Sequence, residues 1–141
     1  MERRCLEEKA LRLLAKFGLE ERAHELIESY SHGMKQRLIM SAALLHEPPV
    51  IVVDEPMVGL DPRGIKMVRD LFRDMARSGT TIFISTHTLK LAESICDRIG
   101  IINGGKLIAV GTMDQLKEAA RVGEADLEEA FLQLTRTEAP E

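Results

Sequence analysis

Val50-Ile51-Val52-Val53-Asp54-Glu55-Pro56 is the stretch whose reading decides the fold. Four β-branched residues in a row predict a strand buried on both faces, as in a parallel sheet. Its carboxyl end delivers two adjacent carboxylates. Asp54, held by a rigid strand, suits an oxygen or water in a Mg²⁺ shell. Glu55, pointing the other way, suits a general base for an attacking water. The plainer alternative is that Asp54-Glu55 only opens a turn.

Working downstream, Gly59-Leu60-Asp61-Pro62 is a tight turn whose Asp-Pro pair reads as N-cap and first residue of a helix to about Ser78, with Gly79 just beyond. Thr80 to Ser85 (TTIFIS) predicts a second buried strand, and Leu89 to Ile95 a short helix. Arg98–Asn103 and Lys106–Val110 flank Asn103-Gly104-Gly105, a hairpin turn. Thr112 with Gln115 forms a capping box for a helix over 113–120, and a last helix covers 126–134. Upstream, Leu6, Ala10, Leu13, Leu14 and Phe17 recur at helical spacing with Gly18 as C-cap, and Ala23, Leu26 and Ile27 suggest a second short helix. Ser31 caps a helix from about Gly33 to His46 with Leu38, Ala42 and Leu45 on one face, ended by Pro48-Pro49. Helices first, then alternating strands and helices, then a hairpin and a helical tail: this order predicts an α/β fold with a parallel core behind a helical appendage.

Composition narrows the class. The chain has 141 residues, 45% hydrophobic and 30% charged, which is enough for one packed core and far from disordered composition. Aromatics are 4% with no Trp, so the core is aliphatic. The longest near-continuous apolar run, Leu38 to Leu45, falls well short of the roughly 18–20 residues of a membrane span, so none is expected. Two cysteines, Cys5 and Cys96, make neither a disulfide framework nor a zinc pattern, and a cytoplasmic location is expected. Net charge is −4, and the segment from Asp114 onward, with 8 acidic and 3 basic residues, carries more than all of it. No basic stripe is visible, so no nucleic-acid partner is expected.

Two further segments sit where ligands bind. Tyr30-Ser31-His32-Gly33-Met34-Lys35-Gln36-Arg37 runs into a helix N-terminus, where a serine hydroxyl and backbone N–H groups make an anion seat suited to phosphate oxygens. By itself the same segment is also a plain N-cap serine with a flexible glycine. Ser85-Thr86-His87 ends the second strand, on the side of an open α/β sheet where ligands bind. Alone, that histidine reads equally as a structural residue.

In this order and spacing the chain resembles the ATP-binding cassette (ABC) ATPases over about residues 5–135. YSHGMKQR resembles the family signature, VIVVDEP the Walker B strand with its glutamate, VGLDP the D-loop and STH the switch-histidine segment. The resemblance implies a partial P-loop NTPase (RecA-like) parallel sheet, with a helical signature segment over 1–46 and the C-terminal part of the core over 47–141. It implies that Asp54 supports Mg²⁺, Glu55 activates water and His87 contacts the γ-phosphate. Ser31 and Gly33 would bind the γ-phosphate of ATP held by an opposing subunit, and Asp61 would bridge the two sites. A membrane permease on a separate chain is the implied partner, contacted through the helical region before Ser31, with ABC-driven transport as the activity. His32 in place of the first signature glycine and Met34 in place of its glutamine lean toward the export-type branch.

The P-loop, Gly-x-x-x-x-Gly-Lys-[Ser/Thr], does not occur within these residues. Gly100 to Leu107 comes near, but Leu107 has no hydroxyl for Mg²⁺ and the segment reads strand–turn–strand. Without P-loop amides and lysine the phosphates lose charge-assisted hydrogen bonds worth about 1.5–3 kcal/mol each. The expectation is therefore a C-terminal catalytic half that neither binds ATP tightly nor hydrolyses it alone. Early strands outside the chain would leave sheet edges open, an aggregation liability unless another polypeptide pairs there. The alternative is a P-loop-less module that offers its signature segment to an intact ABC ATPase.

Overall fold

The computed structural model describes residues 3–123 and 126–136; the acidic residues Glu124, Glu138 and Glu141 lie outside them. The chain divides into two compact units, one ending at Ser85 and the other starting at Thr86.

The first unit opens with α1 (Arg3–Lys16). Leu6, Ala10, Leu13 and Leu14 are half-buried and Phe17 fully buried, along the stripe the spacing predicts. The helix closes on Gly18 through paired bonds, Gly18 N–H to the Ala15 carbonyl and Leu19 N–H to the Leu14 carbonyl, which bury Leu19 completely. The expected second short helix is instead two 3-10 turns, Glu20–Arg22 and Ile27–Ser29. Three apolar residues in a charged stretch are too few to anchor a full helix.

Helix α2 (His32–Leu44) stops two residues before the expected end. Its buried residues are Met40, Ser41 and Leu44, not the Leu38, Ala42 and Leu45 face, and Ile39 is 65% exposed. The stretch Leu38–Leu45 is apolar nearly all round, so periodicity could not choose its inner face. Arg37 helps choose it: Nη1 donates to the Phe17 carbonyl at 2.8 Å and Nε to the Gly33 carbonyl at 3.3 Å, tying the end of α1 to the start of α2.

Strand β1 (Val50–Asp54) pairs in parallel with β2 (Thr81–Ser85), in register from Val50 opposite Thr81 to Asp54 opposite Ser85. Between them runs α3 (Pro62–Arg77), strongly amphipathic, with Gly64, Val68 and Phe72 buried at four-residue spacing. α3 packs on β2. Burial of β1 on both faces is not observed. Ile51 is buried, but Val52 is 73% exposed and its register partner Phe83 62% exposed. Among the described residues no further strand pairs with β1 or β2.

The second unit comprises α4 (Leu89–Ile95), β3 (Ile99–Asn103), β4 (Lys106–Gly111), α5 (Met113–Ala120) and α6 (Leu127–Arg136). β3 and β4 form the predicted antiparallel hairpin. Gly104 and Gly105 both hold positive φ, the geometry of a two-residue turn that side chains resist. Thr112 and Gln115 complete the predicted capping box. Ala92, Ile101, Leu116 and Leu127 make the core, flanked by Phe131, Ile99 and Cys96. Among the described residues no helix is long and apolar enough to cross a membrane.

Two outcomes follow from this packing. Replacing Arg37 by Ala removes the one bond that reaches the Phe17 carbonyl at the end of α1, together with its brace on Gly33 within α2, and costs about 1.5–3 kcal/mol, read as a lower urea midpoint. Arg37→Lys does not restore it, because the ammonium lacks the planar fork with which Nη1 reaches Phe17 while Nε stays on Gly33. At Cys96, burial and then the adjacent Asp97 push the thiol above its ordinary value. Iodoacetamide at neutral pH therefore modifies exposed Cys5 first, as peptide mass spectrometry would show.

Candidate functional site

The carboxyl end of the parallel pair is built with unusual backbone geometry. Beyond the last register pair, the Glu55 N–H donates to the Ser85 carbonyl at 2.8 Å, extending the ladder by one rung. Glu55 itself holds φ at +45°, a left-handed conformation costly for a side chain with a Cβ. The strand therefore ends abruptly. Asp54 is exposed at its tip and Glu55 is half-buried one residue on. The chain then turns, with the Val58 N–H on the Glu55 carbonyl and the Leu60 N–H on the Met57 carbonyl.

Across the first unit, the α2 N-terminus presents the second element. Ser31 is a true N-cap: its Oγ accepts the Met34 N–H at 3.3 Å, and its hydroxyl proton stays available to an acceptor. The N–H groups of the first helical turn have no partner within the helix and carry its positive end. Among the described residues no cluster of three or more His, Cys, Asp or Glu surrounds a metal position. Asp54 alone fits the sparse protein coordination that Mg²⁺ takes when phosphates supply the other ligands. Ser31 and the α2 amides fit phosphate oxygens.

The third element, Asp61, caps α3: its Oδ1 accepts the Gly64 N–H at 2.8 Å. The capped-helix reading is thus present in the geometry, whatever else the exposed carboxylate does. This turn lies directly against α2. A Cβ on Gly33 would stand 3.0 Å from the Gly59 carbonyl oxygen. At Gly59, with φ at +78°, a Cβ would fall 2.8 Å from His32 Nε2 and closer still to Cδ2. Gly33 is favoured by the close approach of the two backbones, and Gly59 by its left-handed φ, with the His32 ring in the space a side chain would take.

Of the six residues singled out by sequence, the fold places Gly33 against the turn leading into Asp61, Ser31 just before it as the cap of the same helix, and Asp54 opposite Ser85. His87 belongs to the second unit, exposed on a turn where the Thr88 N–H donates to Thr86 Oγ1 at 3.1 Å. Sequence reasoning missed the positive φ of Glu55, the contact of His32 with Gly59, and Tyr30, which is buried with its hydroxyl donating to the Arg22 carbonyl at 2.6 Å. Only Gly59 carried an advance signal, as a glycine before Leu-Asp-Pro. A groove of about 630 Å³ between α1 and α3, lined by Leu13, Met67 and Leu71, holds none of the six.

A family model described as "AAA domain, putative AbiEii toxin, Type IV TA system" matches residues 7–93. The linearmycin resistance ATP-binding protein LnrL of Bacillus subtilis is 40% identical over 108 residues, 77% of this chain and 35% of that protein. The ABC-type transporter ATP-binding protein EcsA of the same organism is 32% identical over 139 residues, 99% of this chain and 56% of that protein. A solved structure of an ATP binding subunit of an ABC transporter superposes with a TM-score of 0.87 at 34% identity, covering 96% of this chain and 56% of that one. The chain thus spans from about a third to just over half of the length of these relatives. Sequence kinship over most of the chain, joined to the same α/β framework, makes it a member of the ABC transporter ATP-binding protein family, with the P-loop NTPase fold.

Proposed function

We propose that this chain is the C-terminal half of an ABC ATP-binding domain that couples ATP hydrolysis to transport through a separate membrane permease. The observation that carries this reading is the end of β1, where a ladder bond to Ser85 and a left-handed Glu55 fix two carboxylates at the carboxyl end of a parallel pair. Strain of this kind persists where surrounding structure imposes it, and clusters at functional sites.

Each residue then has a role. Asp54 holds a water or oxygen in the Mg²⁺ shell. Asp54 would help hold Mg²⁺, which when bound would supply positive charge that offsets charge developing on the phosphate. The Glu55 carboxylate takes a proton from the attacking water. His87 donates to the γ-phosphate. Ser31 Oγ and the Gly33 amide bind the γ-phosphate of ATP on an opposing ATP-binding subunit, and Asp61 links the two sites across that interface. Residues 1–46 act as the helical signature segment and 47–141 as the core part. The P-loop and its lysine come from outside these 141 residues, earlier in the same polypeptide or on another chain. The uncovered Val52 and Phe83 face of the β1–β2 sheet supports this reading, because parallel sheets are covered on both faces. The assembly sits on the cytoplasmic side of the membrane, held there by the permease.

Titration calorimetry of the chain with MgATP is expected to show no binding in the micromolar range. A micromolar dissociation constant would contradict the reading. Phosphate-release assays are expected to find no ATPase activity in the chain alone. Activity should appear when it is combined with the P-loop-bearing portion encoded upstream, and Glu55→Gln in that mixture should lower kcat by about 10²–10⁴-fold. Full activity of the Glu55→Gln mixture would remove Glu55 from its role.

A further inference from the structure

His32 stands where the family signature has a glycine, and the structure gives it a specific seat. Its imidazole lies over Gly59, occupying the space into which a side chain there would project. One residue on, Gly33 packs on the Gly59 carbonyl oxygen and on Leu60. His32 and Gly33 therefore meet the 57–61 turn from one helix start, the imidazole over Gly59 and the Gly33 backbone against its carbonyl. Within the turn the Val58 N–H donates to the Glu55 carbonyl at 3.2 Å and the Leu60 N–H to the Met57 carbonyl at 3.3 Å, and Asp61 caps Gly64 at its end. Gly59, with its positive φ and no side chain, is the most pliable point of that segment.

We propose that His32 is a positioning residue: its ring, seated on Gly59, holds the Gly59–Asp61 turn against the N-terminus of α2. The Ser31–Gly33 anion seat and the Asp61 carboxylate then move as one body. A glycine at position 32 would leave the turn free to shift relative to the seat. The contact is ring against backbone, so a phenylalanine ring preserves it and an alanine methyl does not. The consequence for catalysis rests on the function proposed above, in which Ser31, Gly33 and Asp61 serve the same dimer interface. The geometric claim stands apart from it.

The test has two arms. In the full chain, amide hydrogen exchange by NMR is compared for wild type, His32→Ala and His32→Phe. His32→Ala is expected to speed exchange at Leu60 and Gly64 on the order of 10-fold, with the β1–β2 amides unchanged and His32→Phe returning to wild-type rates. Unchanged exchange at Leu60 and Gly64, or a uniform rise across the first unit, overturns the proposal. In the mixture with the P-loop-bearing portion, His32→Ala is expected to lower kcat several-fold while KM for ATP stays near wild type, and His32→Phe to recover kcat. An unaltered kcat, or a loss that His32→Phe fails to rescue, overturns the catalytic part. If the wild-type mixture is inactive, the functional reading fails and the exchange arm still decides the role of His32.

Discussion

The parallel pairing of β1 with β2 is the constraint on which the first unit depends. Its last rung, the Glu55 N–H on the Ser85 carbonyl, forces the chain out of the sheet at one place and with one handedness. Everything around it takes its position from that exit. The turn through Gly59 begins there, Asp61 caps α3 after it, and α3 returns along the sheet to deliver β2. A strained residue survives in such a place because both neighbouring elements fix its ends. The same rigidity suits a carboxylate that must hold a water in one orientation.

Around this frame the contacts divide into ties and approaches. Arg37 is a tie: its guanidinium, braced on the Gly33 carbonyl of its own helix, reaches the Phe17 carbonyl at the end of α1. Gly33 and Gly59 are approaches: missing side chains let the start of α2 and the 57–61 turn meet backbone to backbone. His32 fills the space this leaves. The start of α2 and the Gly59–Leu60 turn, far apart in sequence, thereby meet through backbone and ring contact.

Much of the framework was legible in the residues. A run of β-branched residues announces a strand, Asp-Pro a helix start, Asn-Gly-Gly a hairpin, and Thr-x-x-Gln a capping box. Each signal is local, and each rests on backbone chemistry that distant contacts do not alter. Burial was less legible. The face of α2 that turns inward and the covering of β1 depend on which partners are present, and Leu38–Leu45 is apolar on nearly every side. The weak helix around Ala23 became two 3-10 turns because too little apolar surface was available to hold it.

The sequence by itself determined the order of elements, their caps and turns, and the motif succession that marks the family. It placed carboxylates, serine and histidine at the ends of elements, because those positions follow from local propensity and periodicity. Only the tertiary structure decided that Glu55 sits at positive φ, that Arg37 ties two helices, and that His32 rests on Gly59. These depend on contacts between segments some 20 or more residues apart. No local rule encodes such contacts, because they form only where sheet pairing and helix packing bring the segments together.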